Sequence, residues 1–281
     1  MAYTAEISRA NPTCFLFLVD QSRSMSKTFG RDPQPKAQVV ADAMNRLLQA
    51  LVFRCAKGAV VLDRYYIGVL GYGEKVRPAL GGALAGHTLA AVSEIANRPL
   101  RVENRTKKVS DGAGGLVEQK VKFPVWFEAT ADNGTPMCEA FQTARQIVAE
   151  FVQIHPCCFP PIVINITDGA ASDGTPAEVE MSAAALQAVA SDDGKVLLFN
   201  MHLSSKNEAP IEYPFREESL PDEYSRLLFR MSALLPPPML DTARREGFAV
   251  SPASRGYVFN ANLVSLVRFL DIGTRIDRTA M

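Results

Sequence analysis

What this sequence lacks closes off several classes of protein. It has no net charge, since 30 Lys and Arg stand against 30 Asp and Glu. No global field therefore gathers nucleic acid or an anionic membrane surface, and any charge-based recognition must be local. Long apolar runs are missing too: none reaches the roughly 18 residues of a membrane span. The opening Met1-Ala2-Tyr3-Thr4-Ala5-Glu6 has neither the basic region nor the apolar stretch of a secretory signal. The expectation is a soluble, cytoplasmic protein without a membrane or nucleic-acid partner. Histidine is scarce, and His87, His155 and His202 lie far apart in unrelated contexts, so none is assigned to catalysis. The five cysteines, Cys14, Cys55, Cys138, Cys157 and Cys158, are odd in number and lack the paired spacings of a zinc knuckle. They read as reduced, mostly buried thiols, and no disulfide is expected between the adjacent Cys157 and Cys158.

What is present is enough apolar material for a full core, 47% hydrophobic over 281 residues. Cys14 to Val19 is a continuous apolar run ending at Asp20, the pattern of a strand buried on both faces of a parallel sheet. Lys36 to Arg54 has apolar residues at helical spacing, with Asp42, Asn45 and Arg46 as the polar positions between them. Tyr65 to Gly71, Ile162 to Thr167 and Lys195 to Leu203 read as further core strands. Helices are expected over Thr88–Asn97, Thr135–Ile154, Ala177–Ala190, Asp222–Leu234, Met239–Gly247 and Ala261–Gly273. Tyr257 to Phe259 reads as a short edge strand, and Ser204 to Pro221 as a loop. Strand and helix in alternation predict an α/β fold: a doubly wound, mostly parallel sheet with helices on both faces. One domain spanning 1–281 is expected, with a core of about 12–273 and a helical C-terminal part of about 204–273. Residues of about 100–127, charged and β-branched around Asp111-Gly112-Ala113-Gly114-Gly115, predict a hairpin-like insertion packed at its base by the single Trp126.

In open α/β sheets ligands bind beyond the carboxyl ends of the strands. Two such ends carry short polar motifs, Asp20-Gln21-Ser22-Arg23-Ser24 and Thr167-Asp168-Gly169, and the loop at Gly134-Thr135-Pro136-Met137 can reach the same rim. Asp20 and Asp168 offer carboxylates, while Ser22, Ser24 and Thr135 offer hydroxyls. Five hard oxygen donors with no thiolate or imidazole suit Mg²⁺, or Mn²⁺ and Ca²⁺, and suit zinc or copper poorly. Two acids against a dication leave the site near neutral, and Mg²⁺ asks for about six ligands, so one position stays open for water or an incoming carboxylate.

Together the three segments resemble the metal-ion-dependent adhesion site of von Willebrand factor type A domains, in that family's order. The resemblance covers roughly residues 12–203 well and the C-terminal part by general plan. It implies that Ser22 and Ser24 bind the metal directly, Thr135 in at least one state, and Asp20 and Asp168 directly or through water. It also implies a Glu or Asp from a protein partner as the remaining ligand. Intracellular bacterial members often serve as adaptors beside AAA+ ATPases or kinase and phosphatase systems, and this sequence resembles those more than an extracellular adhesin. Gln21 and Arg23 depart from the small residues usual between the motif's acid and serines, so Arg23 reads either as a solvated loop arginine or as a cation beside the metal that selects acidic partners. Asp173, before Gly174, reads as a turn residue or as one that tunes the site. With no phosphate loop and no general base beside the ligands, a binding module is expected rather than an enzyme. The alternatives are a scaffold with a purely structural metal and a Mg²⁺-dependent hydrolase.

Overall fold

In the computed structural model, which describes residues 2–29, 32–110, 115–203 and 209–274, the first strand, β1 (Thr13–Asp20), is buried along its whole length. After it come α1 (Lys36–Cys55), β2 (Tyr65–Tyr72), β3 (Val76–Pro78), α2 (Val92–Asn97), and the two arms of the insertion, β4 (Arg101–Ser110) and β5 (Leu116–Val125). The chain continues with α3 (Met137–Ile154), β6 (Ile162–Thr167), α4 (Pro176–Gln187), β7 (Leu197–Leu203), β8 (Ile211–Glu212), α5 (Glu223–Met231), α6 (Pro237–Arg245), β9 (Tyr257–Ala261) and α7 (Leu263–Thr274). The main sheet runs β8-β9-β7-β6-β1-β2-β3, with Ala90–Ala91 as an added pair on β2. The five central strands are parallel, and β8, β3 and Ala90–Ala91 are antiparallel additions. This is the doubly wound α/β fold expected.

Successive side chains of a strand point to opposite faces, and β1 shows why its residues from Cys14 to Val19 are all apolar. Phe15, Phe17 and Val19 pack into the layer that holds α1, α6 and α7, whereas Cys14, Leu16 and Leu18 pack beneath α3, α4 and α5. The chain crosses from β1 to β2 on one side and returns to β6 on the other. The switch point of the sheet therefore lies between the carboxyl ends of β1 and β6, where such folds open a crevice.

Several boundaries differ from the sequence expectation. The helix expected from Thr88 begins only at Val92, because Ala90 and Ala91 pair with β2. The strand at Tyr257 is not an edge: β8, inside the presumed loop, pairs with it and takes the edge position. Residues 204–208 of that loop lie outside the described residues, as do 111–114 at the insertion's centre. The insertion is an antiparallel hairpin, paired from Arg101↔Val125 to Ser110↔Leu116. Trp126 packs its base as expected, 2% exposed, with its indole N–H donating to the Ile95 carbonyl at 2.7 Å. Asn45, one of the polar residues between the apolar positions of α1, is only 2% exposed and holds the backbone of Trp126 and Phe127.

All five cysteines are free thiols, and Cys157 alone among them is exposed. Its Sγ donates to Asp192 Oδ2 at 3.3 Å, and that carboxylate holds the thiol above its ordinary pKa. Because the thiolate is the reactive form, a disulfide reagent on the native protein should modify one cysteine, slowly near neutrality and faster as pH rises. Asp192→Asn should lower the thiol pKa and speed the neutral reaction. Release of a second rapid equivalent in the absorbance assay would contradict this burial pattern.

Candidate metal centre

The centre is built where the sheet's topology reverses. The parallel register sets Val19 beside Ile166, so that Asp20 and Thr167 end adjacent strands. The Thr167 hydroxyl donates to Asp20 Oδ2 at 2.7 Å, and the Ser22 amide donates to Asp20 Oδ1 at 2.8 Å. Asp20 is thus fixed by both of its oxygens. Beyond it the chain makes a tight turn, Arg23–Ser26, closed by Met25 N–H to the Ser22 carbonyl at 2.9 Å. That turn brings the alternate hydroxyls of the D-x-S-x-S motif to one side, with Ser22 Oγ and Ser24 Oγ 2.9 Å apart. Ser24 Oγ then donates to Asp168 Oδ1 at 2.5 Å. Four of the five expected ligands therefore stand in one group at the switch point.

Thr135, the fifth, arrives on the loop ahead of α3, two residues before the helix begins at Met137. Gly134 turns that loop with φ +79°, a region glycine adopts without steric cost. The loop is knitted to the one after β6: Thr135 N–H donates to Ser172 Oγ at 2.8 Å, and Ser172 N–H donates to the Thr135 carbonyl at 2.9 Å. Among the described residues the Thr135 hydroxyl makes no hydrogen bond of its own. Asp173 accepts from Cys138 N–H at 3.1 Å and Glu139 N–H at 2.9 Å. Its carboxylate therefore caps the positive end of α3 and holds Thr135 in place at one remove. On the opposite side Gln21 closes the loop, its N–H on the Tyr72 carbonyl and its own carbonyl accepting from Asp132 N–H. Its bulk is accommodated by Gly71, where an added Cβ would lie 2.2 Å from Gln21 Oε1.

The centre is sheltered, with Asp20 1% and Ser22 5% exposed. Burial pushes the Asp20 carboxyl above its usual range, opposed by the hydrogen bonds from Ser22 and Thr167, and the nearby Asp168 charge adds to the rise. Beneath it runs a buried polar ladder. Tyr72 Oη donates to Asn165 Oδ1 at 2.7 Å, Asn165 Nδ2 to Asn200 Oδ1 at 3.0 Å, and Asn200 Nδ2 to Ser232 Oγ at 3.0 Å.

Three neighbours escaped sequence reasoning. Lys36, the first residue of α1, sends its Nζ to Asp168 Oδ2 at 2.7 Å, and its side chain is only 5% exposed. The cation beside the acids is therefore Lys36, and Arg23 is exposed, as a solvated loop arginine would be. A signal for it existed: a lysine at the positive end of a helix is unfavourable unless an acid meets it. Tyr224, on α5, donates its hydroxyl to the Gly169 carbonyl and ties the C-terminal part to the rim. His202 pairs in register with Thr167, but its ring is stacked on Phe259 at 4.8 Å.

The donor chemistry fits a hard dication, since the groups expected to hold it are carboxylate and hydroxyl oxygens, although one oxygen of Asp168 is already taken by the Lys36 ammonium.

No family model matches the chain, and no curated protein matches it in sequence. Among solved structures, it is similar to a von Willebrand factor type A protein from Catenulispora acidiphila, with TM-score 0.48 and 12% identity over 95% of this chain and 43% of that one. It is also similar to the PilB minor pilin from Streptococcus sanguinis, with TM-score 0.48 and 11% identity over 95% and 61% of the two chains. Proximal thread matrix protein 1 from the mussel byssus gives TM-score 0.47 and 13% identity over 97% and 49%. The chain thus spans between 43% and 61% of the length of these proteins. No helix among the described residues is long and apolar enough to cross a membrane.

Proposed function

We propose that this chain is a non-catalytic, metal-dependent protein-interaction module. A divalent cation, Mg²⁺ with Mn²⁺ or Ca²⁺ as alternatives, is held by Asp20, Ser22, Ser24, Thr135 and Asp168 and accepts an Asp or Glu side chain of a partner. One observation carries the reading: acid and hydroxyl oxygens from two strand ends form one hydrogen-bonded group at the switch point of the sheet, with a free hydroxyl, Thr135, on the loop beside it. The ion would supply positive charge with an open coordination position; the chain supplies the rest by fixing Asp20 through both oxygens and clasping the Thr135 loop to Ser172. An adaptor in the cytoplasm, serving an AAA+ ATPase or a kinase and phosphatase pair in a bacterial stress, conflict or signalling complex, is the setting that the motif resemblance suggests.

The insertion beside this rim is either part of the partner-binding surface or a structural flap, and the pairing of its base favours the flap. Arg105 is paired with Asp42 and Glu103, and Arg101 with Glu103 and Glu128, so its basic base is neutralised within the chain.

Saturating Mg²⁺ should stabilise the wild-type protein, by about 2.7 kcal/mol at 100 times Kd, and a partner should be captured from source-cell lysate in Mg²⁺ but not in EDTA. Thr135→Ala, which removes a hydroxyl with no protein bond, should leave the circular dichroism spectrum intact and abolish capture, as should Asp20→Ala. Equal capture in every lane would move the reading to a scaffold whose metal is structural. No Mg²⁺ stabilisation at all would remove the metal from the account.

A further inference from the structure

We propose that Lys36 is a resident cation of the centre, one that shifts binding strength away from the metal and onto the partner's carboxylate. The inference rests on the metal-centre reading above and adds a division of labour within it. Lys36 is not a surface lysine that happens to lie near an acid. Its backbone N–H donates to the Lys27 carbonyl at 2.9 Å, and Lys27 N–H donates to the Ser24 carbonyl at 3.1 Å. The start of α1 is therefore pinned directly to the D-x-S-x-S turn. The side chain is buried from there to Asp168, whose carboxylate is 1% exposed and divided between two donors, Lys36 Nζ on Oδ2 and Ser24 Oγ on Oδ1.

Charge decides what such a placement does. Asp20 and Lys36 are the buried charged residues of the described chain, and Asp168 joins them through its buried carboxylate. Two carboxylates and one ammonium give the empty centre −1, a bound dication takes it to +1, and a partner carboxylate returns it to zero. Without Lys36 the same sequence is −2, zero and −1. The metal is therefore attracted less with Lys36 in place, and the incoming carboxylate more. An ammonium this close to the site's acids repels a dication and attracts an anion, and because Asp168 already pairs with it and water screens the rest, a shift of about 10- to 100-fold in metal affinity is the scale to expect. The centre then loads loosely until a carboxylate arrives, and metal and partner bind as a coupled pair.

The test uses Mn²⁺ as the metal and acetate as the carboxylate, with free Mn²⁺ read by electron paramagnetic resonance and acetate binding read by water-proton relaxation of the loaded protein. Lys36→Met and Lys36→Gln should bind Mn²⁺ about 10- to 100-fold more tightly and, once loaded, bind acetate about tenfold more weakly. Lys36→Arg, keeping the charge, should stay near wild type in both. Lys36→Gln retains a hydrogen-bond donor toward Asp168, should Lys36→Met fail to fold. Mn²⁺ affinity unchanged or reduced in folded charge-removal variants would overturn the proposal, since a packing role for Lys36 weakens both ligands or neither. Absence of Mn²⁺ binding in the wild type as well would instead overturn the metal-centre reading, and this inference with it.

Discussion

Replacing Asp168 with alanine should cost the fold about 3–5 kcal/mol in buffer containing EDTA. The loss comes from Lys36 rather than from the metal. Its ammonium stands 2.7 Å from Asp168 Oδ2 with a side chain only 5% exposed, and it sits on the first residue of α1, at the positive end of that helix. Taking away the acid leaves a buried charge against an unfavourable dipole, and Asp20 is already held by Ser22 and Thr167. Breaking a buried pair from one side is far costlier than replacing both partners with apolar groups. The double variant Asp168→Ala, Lys36→Met should therefore regain most of the stability while binding no metal. Urea unfolding of the four proteins closes the double-mutant cycle. A loss below about 1 kcal/mol for Asp168→Ala would mean that water reaches the ammonium and that the pair behaves as a surface salt bridge.

The same pair shows where the sequence stops being readable. The strand ends were legible because they depend on local patterns: an apolar run stops at Asp20, another stops at Thr167, and the carboxylate at each end is the break in the pattern. The Thr135 loop was legible because a proline sits just ahead of an amphipathic run. Side chains whose partners are distant in sequence were not. Lys36 and Asp168 are 132 positions apart, as are no two groups that periodicity compares. Asp173 caps α3 from a loop beyond β6, although α3 has ordinary helix-start residues of its own. Tyr224 belongs to an amphipathic helix, and nothing in its spacing points to the Gly169 carbonyl. The edge strand Ile211–Glu212 has two residues and lies in a proline-containing stretch, too short to show any alternation. Its omission made the Tyr257 strand look like an edge, although five consecutive buried residues, Tyr257 to Ala261, are the mark of an interior strand.

Asn45 carries the second large effect. A polar residue between apolar ones on a helix reads as solvent-facing, yet Asn45 Oδ1 accepts from Trp126 N–H at 2.8 Å and Phe127 N–H at 3.0 Å, and Nδ2 donates to the Phe127 carbonyl at 2.8 Å. One amide therefore satisfies three backbone groups where the chain leaves the hairpin. These groups lie beyond the last β4–β5 pair and have no full ladder of their own; a single bridge joins Leu80 and Phe127. Asn45→Ala strands two donors and an acceptor at roughly 1–3 kcal/mol each before water compensates, so a net loss of about 3–5 kcal/mol is expected. Asn45→Asp should recover little, because its carboxylate keeps the two N–H bonds but meets the Phe127 carbonyl and must be buried charged. Trp126 is the only tryptophan, which makes its fluorescence a local reporter. If Asn45 pins the hairpin base, emission in Asn45→Ala should shift to the red at urea concentrations below the far-ultraviolet unfolding transition. Coincident transitions with wild-type stability would show that the Trp126 indole bond to Ile95 and the packing of Phe127 hold the base without Asn45.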